Sequence, residues 1–158
     1  MNIFVLDSNP KYAAEMHNNK HVVKMILETA QILSTSLRMN GIDAPYKSTH
    51  QKHPCVIWAN SSRDNFRWLC KLGIYLCAEY RFRYGREHAA QEVIEFAAQN
   101  IPKFSKIKLT PFAQAMPEEY KNQDAVIAYR NYYIGEKLKF SKWTKRAIPE
   151  WIPQEINK

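Results

Sequence analysis

His17, His21, Lys24 and Glu28, continued by Gln31 and Thr35, recur every third or fourth residue along one stretch of the chain. At 100° per residue they fall within an arc of roughly 80° on one helical face. Imidazole, ammonium and carboxylate groups on a shared face are the material of general acid–base chemistry, because neighbouring charge and partial burial move their pKa values. Lys20 or Lys24, once deprotonated, adds an amine that can attack a sugar carbon and form a Schiff base. The same stripe also reads as a narrow solvated face with Lys24 and Glu28 in an ordinary i,i+4 pair. His17 and His21 are spaced for a metal, with one of His50, His53 or His88 as a third ligand. No HExxH motif or paired carboxylate accompanies them, so no metal and no cofactor are expected.

A second constellation lies further along. Arg63, Arg67, Lys71 and Arg81 share one side of a helical stretch, where planar guanidinium forks suit phosphates, although solvation alone also explains such a stripe. At its border Glu79 and Arg83, one turn apart, form either a structural ion pair or a buried carboxylate facing the same cleft as the first stripe. Asn18, His53, Trp58, Asn65, Trp68, Tyr84 and His88 are the expected pocket walls. The last third interleaves Tyr129, Tyr132, Tyr133, Phe140, Trp143 and Trp151 with Lys137, Lys139, Lys142, Lys145 and Arg146. Cations there meet phosphates and rings stack on extruded bases, or else Trp143 and Trp151 pin the tail to the core.

The elements that must hold these groups are helical. Asn9 and Pro10 open a short helix through about His17, after an extended lead-in at residues 3 to 6. A second helix starts at Asn18 or Asn19 and stops at Gly41; apolar residues cover most of its circumference, the pattern of a central helix. Residues 41 to 53 form a loop, Pro54 starts a short helix, and Ser62 caps a long one from about Arg63 to Tyr84. Beyond Gly85 a helix is expected at about 86 to 99. Residues 100 to 117, broken by Pro102, Pro111 and Pro117, are irregular. Residues 118 to 139 read as a last long helix open to interruption near Asn122, and 140 to 158 as an irregular basic and aromatic tail. Five or six helices without a strand signal or a repeat imply a single compact all-α domain over residues 1–158.

Composition narrows the class. With 46% hydrophobic and 24% charged residues the chain lies outside the disordered and fibrous classes. Against 15 Asp+Glu stand 23 Lys+Arg, a formal net charge of +8 that favours a polyanionic partner such as nucleic acid. Cys55, Cys70 and Cys77 show no CxxC spacing and read as reduced, buried thiols. The opening MNIFVLDSNP is neither a signal peptide nor a membrane span, so a cytoplasmic protein without a membrane partner is expected.

FVLDSNPKYAAEMHNNKHVVKMILETAQILST, HPCVIWANSSRDNFRWL and EYRFRYGREH resemble a family of small phage-encoded proteins. More distantly, AAEMHNNKHVVK, HPCVIWANSSRDNFRWLCKLGIYLCAEY and MPEEYKNQDAVIAYRNYYIGEKLKFSKWTKR are similar to phage pyrimidine-dimer DNA glycosylases of the endonuclease V type. Those are small basic all-α enzymes that flip a base and incise beside ultraviolet damage. The resemblance implies that fold, DNA as partner and the host-cell cytoplasm as location. The family's nucleophile is the amine of a processed N-terminal Thr, whereas here Met1 precedes Asn2, which is too large to favour Met removal. In approximate register the family's catalytic Glu falls on Asn18 or Asn19, so no carboxylate matches it. Its following basic residues are echoed by Lys20, His21 and Lys24, and its aromatic-basic tail by Lys142, Trp143 and Lys145.

The expected function is therefore that of a monomeric DNA glycosylase and abasic-site lyase that extrudes a nucleotide from damaged or modified DNA. Arg63, Arg67, Lys71 and the tail would hold the duplex, and His21 and Glu28 would orient or protonate the departing base. Two other readings share the residues: a catalytically silent nucleic-acid or nucleotide-binding protein, and an enzyme acting on a free modified nucleotide.

Overall fold

The computed structural model describes residues 1–153, so the last five residues of the expected tail lie outside the described residues. Six α-helices follow in order: α1 Pro10–Met16, α2 Asn19–Met39, α3 Pro54–Ala59, α4 Arg63–Tyr84, α5 Gln91–Gln99 and α6 Ala125–Tyr132. No strand occurs among the described residues.

The start signals work as their chemistry requires, each satisfying a helix-terminal N–H that has no partner within the helix. Asn9 accepts from the Lys11 amide with Pro10 behind it, Asn18 from His21, and Ser62 from Asn65. Gly85 ends α4 in the left-handed region at φ +70°. α2 lies against α3, α4 and α5, and α1 lies along α4. At Gly73 the helices come close, because a Cβ there would stand 2.9 Å from Ile94 Cγ2 on α5 and 3.0 Å from Thr29 Cγ2 on α2.

Three expectations need correction. The helix expected from about residue 86 begins at Gln91, because His88 Nδ1 accepts from the Ala90 amide and holds the preceding residues in a turn. The last long helix is in pieces: a 3₁₀ turn at Glu118–Tyr120, α6 capped by Asp124, a π-helical turn at Tyr133–Lys137 and a 3₁₀ turn at Leu138–Phe140. Gln114 bonds both the N–H and the C=O of Asn122, which fixes the break before α6. The lead-in is also more than a lead-in, since Ile3, Phe4, Val5 and Leu6 are all buried in the core.

Cys55, Cys70 and Cys77 are free and buried, and burial pushes each thiol pKa up to about 12. None of the described helices is long and apolar enough to cross a membrane.

Candidate active site

The buried segment Ile3–Leu6 delivers the amino end of the chain to the middle of α2. There the Met1 α-amine lies 3.1 Å from Glu28 Oε1, with side chains only 4% and 10% exposed. The next residue anchors it. Asn2 Oδ1 accepts from the Ile3 amide at 2.8 Å and the Tyr129 hydroxyl at 3.0 Å, and Asn2 Nδ2 donates to the Ala115 carbonyl at 2.8 Å. His53, which caps α3 by accepting from the Cys55 amide, also hydrogen-bonds the Met1 backbone. Its pKa is lowered, first by burial and then by the adjacent terminal ammonium.

Glu28 is loaded asymmetrically. Oε1 faces the amine, while Oε2 is buried without a hydrogen-bond partner and has Lys24 Nζ at 4.0 Å. Lys24 itself reaches into solvent, with its side chain 70% exposed. A cleft of about 500 Å³ is lined by Leu27 and Gln31, which flank Glu28 in sequence on α2, and by Pro45, Tyr46, Lys47, Ser48 and Thr49 of the following loop; Met1 and Glu28 themselves do not line it. An amine and a carboxylate with a spare oxygen together can attack an electrophilic carbon and move the protons that attack requires.

The remaining members of the polar stripe go elsewhere. His17 is fully buried; its Nδ1 donates to the Ala13 carbonyl at 2.6 Å, its Nε2 has no partner, and burial lowers its pKa to about 4. His21 stacks on Phe4 at 4.3 Å, and its Nδ1 sits 2.6 Å from the Tyr133 hydroxyl. That hydroxyl accepts from the Asn18 amide, so its proton goes to His21, which is held neutral; burial, with His17 next, lowers its pKa to about 3. Lys20 is exposed and lies over the Phe140 ring at 4.7 Å.

Glu79 and Arg83 are not beside Glu28. Arg83 donates to Glu79 Oε2 at 2.7 Å, to the carbonyls of Glu15 and His17, and to Asn19 Oδ1. Arg146 reaches the same carboxylate at 2.6 Å and Glu15 at 3.2 Å. Asn19 precedes Glu28 by nine residues, about 13 Å of helix axis, so this cluster clamps the α1–α2 elbow while Glu28 lies further along. The expectation of one hollow shared by both groups is thus replaced by two separate centres.

Of the expected pocket walls, His53 stands at the amine. Asn18 caps α2. Trp58, Trp68 and Phe112 pack ring against ring, with Asn65 buried between the Trp58 carbonyl and Thr110. Tyr84 packs on Tyr80, which packs on His88, and the His88 ring bonds the Val23 carbonyl. Arg63, Arg67 and Lys71 line a second cleft of about 390 Å³ with Trp68 and Leu109. Arg81, Lys142 and Lys145 are exposed. Trp143 is buried and its indole donates to the Met16 carbonyl at 2.8 Å, so its ring pins the tail and is not presented to a stacking base. Among the described residues no three His, Cys, Asp or Glu side chains gather as metal ligands.

Sequence reasoning selected Glu28 but missed its partner, the Met1 amine, and the Asn2–Tyr129 anchor behind it. The available signal was the apolar run Ile3–Leu6, too short for a helix and too apolar for a loose end.

A family model described as pyrimidine dimer DNA glycosylase matches residues 1–92, a span that contains Met1, Lys24, Glu28 and His53. No curated protein and no solved structure matches the chain.

Proposed function

The chain belongs to the pyrimidine dimer DNA glycosylase family, and on that premise we propose a base-flipping glycosylase and abasic-site lyase whose attacking group is the Met1 amine. The observation that supports this most is the 3.1 Å contact between that amine and Glu28 in a place nearly closed to water. Glu28 takes a proton from the ammonium, and the neutral amine attacks C1′ of the damaged nucleotide's sugar. The C1′–N bond breaks, its electron pair leaves with the base, and the proton held by Glu28 passes to the base, which returns Glu28 to its carboxylate. Opening of the sugar ring gives a Schiff base between the amine nitrogen and C1′. Glu28 then removes a C2′ proton, the 3′ phosphate departs by elimination, and water hydrolyses the imine. As a class, α-amines give up a proton more readily than lysine amines, which favours Met1 over Lys20 or Lys24 as nucleophile.

The other charged groups have supporting roles in this reading. Lys24, exposed beside Glu28, meets a phosphate near the reacting sugar. Arg63, Arg67 and Lys71 hold the backbone of the duplex in their cleft. His21, with Nδ1 committed to Tyr133, supports Phe4 and thus the segment leading to Met1.

Borohydride trapping on duplexes carrying a thymine dimer or an abasic site, followed by peptide mapping, tests the assignment. The adduct is expected on the peptide containing Met1, and Glu28→Gln should slow trapping by about 10²–10⁴-fold. An adduct on Lys20 or Lys24 would move the nucleophile to that lysine. Absence of both adduct and strand cleavage, with salt-sensitive binding intact, would leave a binding protein without turnover.

A further inference from the structure

We propose that Val23 and Leu27 form an apolar wedge that enters the duplex and unstacks the nucleotide to be attacked; this rests on the glycosylase reading above. Apart from Met39 in the last turn, which is 43% exposed, the large apolar residues elsewhere on α2 obey its role as a central helix: Val22, Met25, Ile26, Ile32, Leu33 and Leu37 are at most 4% exposed. Val23 and Leu27 do not, at 40% and 42% exposed. Single exposed apolar residues are ordinary on protein surfaces. Three features set this pair apart.

The two residues are one turn apart, so they form a continuous ledge on the helix. Lys20 and Lys24 alternate with them on the same exposed arc of α2, giving an apolar ridge edged by ammonium groups. Such a surface complements a duplex, in which phosphates flank a base step that opens only if something apolar replaces the lost stacking. Finally, the ledge adjoins the proposed chemistry. Leu27 precedes Glu28 and lies on the lip of the cleft formed with Gln31, Tyr46 and Thr49. The Val23 carbonyl is held by His88, and Lys20 is held over Phe140, itself 38% exposed, so the ridge stands in a fixed frame.

The test uses a duplex carrying a thymine dimer with 2-aminopurine beside it, whose fluorescence rises when its stacking is lost. Fluorescence anisotropy reports binding on the same duplex. The unaltered protein should raise the 2-aminopurine signal. V23S/L27S should bind within about threefold of the unaltered protein while its signal falls at least about fivefold, and Leu27→Met should keep the signal because it keeps the apolar volume. Both side chains are exposed, so serine leaves the core intact; Leu27→Gln, read in the same way, serves if the double variant does not fold. A full signal from V23S/L27S overturns the proposal. So does loss of binding by the folded variant, which would assign the pair to affinity, and so does absence of a signal from the unaltered protein. Trapping on a single-stranded abasic oligonucleotide separates the two ideas: a signal without trapping removes the glycosylase chemistry and leaves the wedge, whereas trapping without a signal removes the wedge alone.

Discussion

The buried histidines set how the protein responds to acid. His17 and His21 have pKa values lowered to about 4 and about 3, in both cases chiefly by burial. In the unfolded chain a histidine binds its proton near pH 6.5, so below that pH the unfolded state holds protons that the native state refuses. Stability is therefore fully present above about pH 6.5 and is lost as pH falls towards 4 for His17 and towards 3 for His21, on the order of 3 kcal/mol for the first and 5 kcal/mol for the second. Urea midpoints measured from pH 7.5 to 4 should fall steadily, and His21→Phe, which keeps the stack on Phe4, should flatten that slope. At the same scale, residue types and spacing were enough to select Glu28 and to pair Glu79 with Arg83. They were silent on what Glu28 faces. The Met1 amine belongs to no periodic element, and it arrives through three-dimensional packing of Ile3–Leu6, which a one-dimensional period does not encode.

Helix packing carries the next prediction. Gly73 sits where α4 passes α2 and α5, and Gly73→Ala sets two effects against each other. Replacing a mid-helix glycine by alanine gains about 0.8–1 kcal/mol in propensity. Pressing a methyl group against Ile94 and Thr29, at 2.9 and 3.0 Å, costs about 1–3 kcal/mol as overpacking. Net destabilisation is expected, and the thermal midpoint of the variant checks it. Glu79→Ala should do more harm. It strands the fully buried Arg83 and strips Arg146 of its shortest contact, a loss of about 3–5 kcal/mol by chemical denaturation, with the α1–α2 elbow opening first. The long helices were legible because their periods and caps agree: Asn9, Asn18, Ser62 and Gly85 all act where their side chains or φ angles predict. Residues 100 to 117 were legible as irregular from their three prolines, but the division of residues 118 to 139 was not: the Gln114–Asn122 bonds and a π-helical turn break it up, and these are tertiary solutions that local propensity does not favour over one continued helix.

Over the whole molecule the excess of 23 basic over 15 acidic residues has a readable consequence. Binding to duplex DNA should weaken with salt along a straight log–log line, and each phosphate contact removed should reduce the slope by about 0.9. Arg67→Ala and Lys71→Ala, from the cleft beside Trp68, should each lower affinity by a similar factor for any sequence, measured by anisotropy from 50 to 300 mM salt on the order used for such titrations. Slopes equal to that of the unaltered protein would remove the cleft from the interface. The all-α class and the basic surface were both legible from composition and period, since they sum over many residues. The division of the polar stripe between a core of imidazoles, a solvated ridge and one shielded carboxylate was not, because adjacent turns of one helix meet different neighbours.

The three thiols supply a clock that the chemistry above does not use. Cys55 lies on α3, and Cys70 and Cys77 lie two turns apart on α4, all shut away and held as thiols. Only a thiolate reacts with an alkylating reagent such as iodoacetamide, so each modification waits for its helix to come loose. The order in which the three acquire mass will therefore report which end of the α3–α4 corner opens first.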